Sequence, residues 1–147
     1  ASPRAGGVVT LPDVNVWLAG VWARHVDHKR AKAWLDDGDE EYGFCRVTEM
    51  ALLRLLTNPA VTGTDVRTRR EAWDIVLTLQ DDPRVRFMNE PRGLAPVWMA
   101  ISKRDDYSHQ LWTDDYLDAF AQMADAEFVT LDRKCYTRYP SVRVRVL

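Results

Sequence analysis

Four carboxylates stand in this chain where a carboxylate is costly to keep. Asp13 ends the apolar run Val8-Val9-Thr10-Leu11-Pro12, and Asp132 ends Phe128-Val129-Thr130-Leu131. A strand that finishes in an acid delivers that side chain to the rim of an α/β sheet, where such sheets bind ligands. Glu49 and Asp114 lie instead in the first turns of helix-like runs. At about 100° per residue, Glu49 falls on the face of Leu52, Leu53 and Leu56 rather than beside Arg54. A helix N-terminus stabilises such a charge by about 0.3–1 kcal/mol, too little to offset burial without a partner. Helix N-termini that follow parallel strands share the rim of the strands' carboxyl ends, so topology can bring all four acids together. Carboxylates so gathered repel and hold on to protons unless something positive sits between them. Hard oxygens without cysteine or histidine suit Mg²⁺ or Mn²⁺ rather than zinc or copper.

The elements that must position these acids follow from periodicity and punctuation. Residues 14–23 read as a short apolar helix and 25–35 as a second, ending at Asp36-Asp37-Gly38. His25 and His28, three apart, read as a solvated helix end rather than a metal site. Tyr42-Gly43-Phe44-Cys45 is a brief strand. Thr48 is the expected N-cap of a helix over 49–56 that Asn58-Pro59 stops. A longer helix covers 65–80 and breaks at Asp81-Asp82-Pro83, before a strand over 85–88. A helix over 94–102, a polar loop over 103–109 and a strong helix over 112–125 come next. That last helix carries Trp112, Tyr116, Ala119, Phe120 and Met123 on one face and Asp114, Asp118 and Asp125 on the other. Strands over 127–131 and 142–146 complete the chain, the last expected at an edge with its arginines facing water. Trp17, Trp34 and Trp73 are expected to pack rather than to stack on a ligand. Pro12 removes a ladder hydrogen bond, tolerable only where the chain is leaving the sheet. Strands alternating with helices give an α/β class with a mainly parallel sheet.

Composition excludes several function classes. The 147 residues suit one domain with a real core. With 20 basic and 22 acidic side chains and a formal net charge of −2, no overall field attracts a polyanion, so any nucleic-acid contact needs a local patch. Cys45 and Cys135 have neither C-x-x-C spacing nor nearby histidines, which reads as two small hydrophobes in a reducing cytoplasm. No run is apolar enough to span a membrane, and no signal-peptide pattern is present. Residues 1–7 read as a flexible leader or an expression remnant, and 8–147 as the domain.

The chain resembles the PIN-domain family, in particular the VapC-type toxins of bacterial toxin–antitoxin pairs. The resemblance lies in Leu11-Pro12-Asp13-Val14-Asn15-Val16-Trp17-Leu18-Ala19, in Val47-Thr48-Glu49 with Arg54-Leu55-Leu56-Thr57-Asn58-Pro59, and in Thr113-Asp114-Asp115-Tyr116-Leu117 with Val129-Thr130-Leu131-Asp132-Arg133. Each piece alone is weak; the ordered set, over nearly the whole chain, is specific. It implies a three-layer α/β/α sandwich that usually dimerises, a pocket for Mg²⁺ or Mn²⁺, and endonuclease action on RNA leaving a 5′-phosphate on the downstream product. By that resemblance Asp13, Glu49, Asp114 and Asp132 are the catalytic and metal-binding acids, Asn15 supports the first of them, and Thr130 orients a carboxylate or a water. Asp118 either adds to the pocket or is solvated, with the solvated reading preferred. Which of Asp114 and Asp115 points inward stays open, although the spacing from Thr113 favours Asp114.

The implied chemistry is phosphodiester hydrolysis with one or two hard cations on the four acids, Asp114 or Glu49 taking the water's proton. Local positive charge for the RNA comes from Arg54, from Lys103 and Arg104 before the acidic helix, and from Arg133 and Lys134 after Asp132. A cognate antitoxin is the implied partner protein. Two rivals stand beside this reading. One is a PIN-like module that binds RNA or protein without cutting. The other is a haloacid-dehalogenase-like phosphatase, whose second aspartate is here Asn15.

Overall fold

A computed structural model describes residues 9–38 and 40–147; residues 1–7, read from sequence as a leader, lie outside the described residues. Five parallel strands form one sheet in the order β3-β2-β1-β4-β5. They are β1 (Val9–Pro12), β2 (Glu41–Phe44), β3 (Val85–Phe87), β4 (Glu127–Thr130) and β5 (Val144–Val146). Helices α1 (Val14–Val21) and α2 (His28–Asp37) join β1 to β2, and α3 (Arg46–Leu56), α4 (Pro59–Thr62) and α5 (Arg69–Asp81) join β2 to β3. Helices α6 (Leu94–Ser102) and α7 (Trp112–Ala124) cross from β3 to β4, and α8 (Cys135–Arg138) precedes β5.

Each face of the sheet buries its own core, which makes three layers. On one face Trp17 and Leu18 of α1 pack with Tyr42 and Phe44 of β2, Leu52 and Leu56 of α3, and Ala72 and Val76 of α5. On the other, Leu11 and Phe128 meet Leu94 of α6, Leu117 and Phe120 of α7, and Tyr139 after α8. Strand alternation produces this division, because Leu11 points to one face while Tyr42 and Phe44 point to the other.

β1 is central, and the crossover from β3 to β4 passes to its far side. The strand order therefore reverses between β1 and β4, and a crevice opens at their carboxyl ends, where open α/β sheets bind ligands. Pro12 is the last residue of β1, and the ladder closes one residue on, where the Asp13 N–H donates to Val129 O at 2.9 Å. The strand is leaving the sheet there, as the proline requires.

Several boundaries differ from the sequence reading. α3 begins at Arg46 with Cys45 at its N-cap, so Thr48 is a buried residue inside the helix and not its cap. Asn58 does end α3, but its side chain then caps α4 through Ala60 N–H at 3.0 Å. α5 starts four residues later than expected, behind a capping box between Thr68 and Glu71. α8 has no counterpart in the sequence reading. β5 is an edge strand as expected, yet the arginines in and just before it are paired rather than merely solvated: Arg143 with Asp125 at 3.1 Å, Arg145 with Glu40 at 2.8 Å and Glu127 at 2.6 Å. Trp17 is buried and Trp34 partly so, whereas Trp73 is 44% exposed, contrary to its expected packing role.

Candidate active site: acids at the crevice

Asp13 takes its place because β1 ends one residue earlier and α1 begins one residue later. Its side chain is the N-cap of α1, accepting from Asn15 N–H at 2.9 Å and Val16 N–H at 3.2 Å through Oδ1. The other oxygen, Oδ2, accepts from the Thr130 hydroxyl at 2.6 Å. That same hydroxyl oxygen accepts the Asp132 N–H at 3.0 Å, so one threonine at the end of β4 ties the first acid to the backbone of the last. Burial pushes the Asp13 carboxyl well above its ordinary range, against the pull of these three donors, and the Asp132 charge adds to the rise.

Asp114 enters from the opposite wall. α7 runs directly into β4 and antiparallel to it, so its N-terminus reaches the carboxyl rim of the sheet. Burial first, then the charge of Asp13, push its carboxyl up to about 6; Arg138 opposes, and Asp115 and Asp132 add to the rise. The adjacent Asp115 is the more buried of the two but turns away, taking the Tyr139 hydroxyl at 2.6 Å. Its charged neighbours are Arg104, Arg138 and Asp106. Of the two, Asp114 is the one set against Asp13 and Asp132.

Asp132 is the exposed acid of the group. It bonds Arg138 and accepts Lys134 N–H at 2.9 Å, and these donors hold its carboxyl below the usual range. Glu49 has partners of its own. It is buried in α3 as its helical face required, but its carboxylate is engaged by Arg46, one turn earlier, and by Gln80 Nε2 of α5 at 2.7 Å. Arg46, three residues before Glu49, is the basic residue that pairs with it, rather than Arg54.

Asp118 corrects the sequence reading outright. It is 1% exposed rather than solvated. Gln122 Nε2 donates to Oδ2 at 3.1 Å, Oδ1 has no protein partner, and burial, then Asp115, push the carboxyl up to about 6. The cause is that α7 is covered on two sides, by β4 and by α6, so its buried arc is wider than one apolar stripe. The edge of the supposed apolar face is correspondingly open: Trp112 and Met123 are exposed.

The basic residues divide by position. Lys103 and Arg104 line a cavity with Asp115 and Arg138, close to the acids. Arg133 and Lys134 are exposed directly after Asp132. Arg54 does not join them. It sits in the last turn of α3, in a groove with Arg69 and Trp73, about 12 Å along the helix from the turn at the rim. Arg138 and Tyr139 were missed in the sequence because nothing local announces the four-residue α8. His25 and His28 are bonded to the backbone, through Asp27 N–H at 3.0 Å and Ala19 O at 2.7 Å.

The donor set fits a hard divalent cation in its chemistry: oxygens only, with buried Asp13 and half-buried Asp114 forming no ion pair among the described residues. The side chains are not drawn into a cage; among the described residues no three His, Cys, Asp or Glu groups stand close enough to hold an ion together.

Comparison with known proteins agrees with this architecture. The family model described as PIN domain matches residues 10–140. The chain is 39% identical over 143 residues to Ribonuclease VapC41 of Mycobacterium tuberculosis, covering 93% of this chain and 97% of that protein. It is 30% identical over 125 residues to Ribonuclease VapC29 of the same organism, covering 85% and 86%. Among solved structures, VapBC2 from Rickettsia felis, crystallised with a fragment of promoter DNA, superposes with a TM-score of 0.67 at 8% identity over 95% of this chain and 98% of that one. VapBC-1 from nontypeable Haemophilus influenzae gives 0.63 at 12% identity over 94% and 97%. With its sheet order, its reversal point and this ancestry in agreement, the chain belongs to the PIN-domain family.

Proposed function

We infer that this protein is a VapC-like endoribonuclease, the toxin of a toxin–antitoxin pair, and that it hydrolyses RNA with Mg²⁺ or Mn²⁺ held by Asp13, Asp114 and Asp132, with Glu49, bonded to Arg46 and Gln80, as the fourth acid of the set. The observation that carries the reading is that Asp114 feels the charges of Asp13 and Asp132 at the crevice while neither Asp13 nor Asp114 has an ion-pair partner among the described residues. The ribonuclease names of its relatives over nearly the whole chain support it. A bound divalent cation supplies an activated water and neutralises charge on the departing oxygen.

The chain's own groups do the rest. Thr130 fixes the oxygen of Asp13 that faces β4, and the two N–H groups of α1 fix the other. Asp114, set against Asp13 at the crevice, is a carboxylate that could take the proton of a water there. Lys103 and Arg104 in the neighbouring cavity, with Arg133 and Lys134 just after Asp132, would supply the positive charge an RNA backbone needs. The antitoxin and a second copy of the chain are the protein partners in this reading. Met50, Trp73 and Leu77 on the outer faces of α3 and α5 are large, exposed apolar side chains of the kind an interface covers. Among the described residues no helix is long and apolar enough to cross a membrane, and the cytoplasm is where such an RNA substrate is met.

The test is incubation of the purified protein with total RNA, with Mg²⁺, with Mn²⁺ and with EDTA, beside Asp13→Asn. Metal-dependent fragments that disappear in the variant are expected. Cutting that survives EDTA, or that Asp13→Asn retains in full, overturns the metal mechanism. Binding without any cutting favours the silent RNA-binding module instead.

A further inference from the structure

Beside the acids lies a cavity of about 300 Å³ to which the hydrolytic chemistry assigns no role. Lys103 and Arg104, just past α6, and Arg138 of α8 bring three cations to it. Its two carboxylates are already engaged, Asp115 by the Tyr139 hydroxyl at 2.6 Å and Asp106 by Ser108 N–H at 3.0 Å. One wall is the indole of Trp112, 55% exposed. That ring is not loose: Trp98 meets it edge-on at 6.4 Å, and Trp98 Nε1 donates to Trp112 O at 3.3 Å. A large indole held at the surface offers a π face at little further entropic cost.

Arg138 connects this cavity to the crevice. Its guanidinium bonds Asp132 and lies over the Tyr139 ring at 5.7 Å, while its Nε is buried with no protein partner. Arg104 is fixed alongside, its Nε donating to Ile101 O at 2.8 Å.

We propose that this cavity is a nucleotide subsite next to the cleavage point, in which Arg138 and Arg104 take a flanking phosphate of the RNA and Trp112 stacks its base. The proposal rests on the ribonuclease reading, which makes RNA the strand that passes from crevice to cavity. An acidic peptide would use the cations and leave the indole unused; a single-stranded nucleotide uses both. Stacking tolerates every base, so the subsite sets affinity and register along the strand rather than sequence choice.

Fluorescence anisotropy of a labelled hexaadenylate in EDTA, where no metal-dependent cutting can occur, tests this directly. Trp112→Ala should weaken binding about 5- to 150-fold, and Trp112→Phe should restore most of the loss. Arg104→Ala should flatten the dependence of log K on log salt by about 0.7, the signature of one fewer phosphate neutralised on a single strand, while Arg104→Lys keeps the slope. Mn²⁺ affinity in these variants should match wild type. If Trp112→Ala and Arg104→Ala bind hexaadenylate as tightly as wild type, or if wild type does not bind it, the subsite is wrong even though the wild-type protein cuts RNA. If wild type fails to cut with any metal but both variants lose binding as described, the subsite stands and the nuclease reading falls.

Discussion

Thr130 carries more of the site than its size suggests, because one hydroxyl donates to the Asp13 carboxylate and accepts the Asp132 N–H. Groups that orient metal ligands typically contribute 10–100-fold to metal affinity. Thr130→Val keeps the shape and removes the hydroxyl, so Mn²⁺ affinity measured by titration calorimetry should fall by about 10–100-fold, and Thr130→Ser should recover most of it. Asp118 makes a different residue-level prediction. Its folded carboxyl is raised from 3.8 to about 6 by burial. The folded state therefore holds this proton more tightly than the unfolded chain. The associated stability is complete below about pH 4, declines as pH rises to about 6, and is gone above that. One pKa unit is worth about 1.4 kcal/mol, so Asp118 contributes a fall of up to about 3 kcal/mol across that window. Urea unfolding in EDTA at pH 4.5 and 7.5 should show a smaller loss between the two for Asp118→Asn than for wild type. Equal losses would mean that Asp118 does not titrate in this window.

At the scale of elements, local chemistry and tertiary contact shared the work. The Thr68–Glu71 capping box starts α5 through side chains three residues apart, and Thr68→Ala should cost about 1 kcal/mol, or about 2–4 °C in thermal unfolding. Gly43 is fixed from further away. A Cβ there would stand 2.7 Å from Met88 Sδ and 3.1 Å from Thr10 O, so Gly43→Ala should destabilise by about 1–3 kcal/mol in urea unfolding. The periodicity of 94–102 and 112–125 was legible and α6 and α7 match it closely, since long apolar periods survive any context. The start of α3 was not. Thr48 has the residue type of a cap, yet Arg46 and Val47 continue the helix forward to Cys45 and bury the threonine. α8, four residues long, has too little period to read at all.

At the scale of the molecule, the acids and the metal should be coupled to folding itself. A cation that binds only the folded state at about 100 times its Kd should add about 2.7 kcal/mol to unfolding. Mn²⁺ should therefore raise the urea midpoint of wild type and leave that of Asp13→Asn nearly unmoved. The chain's order of residue types by itself determined the α/β class, the buried strands, the carboxylates at strand ends and the family, because these depend on local period and on the order of short motifs. Only the tertiary structure decided which acids share a crevice, that Arg46 and Gln80 occupy Glu49, that Asp118 is enclosed, and that Arg138 stands beside Asp132. Those outcomes depend on strand order and on what lies across a helix, and no spacing along the chain encodes them. β1 and β4 are neighbours although more than a hundred residues separate Asp13 from Thr130, whose hydroxyl donates to it across 117 positions of sequence.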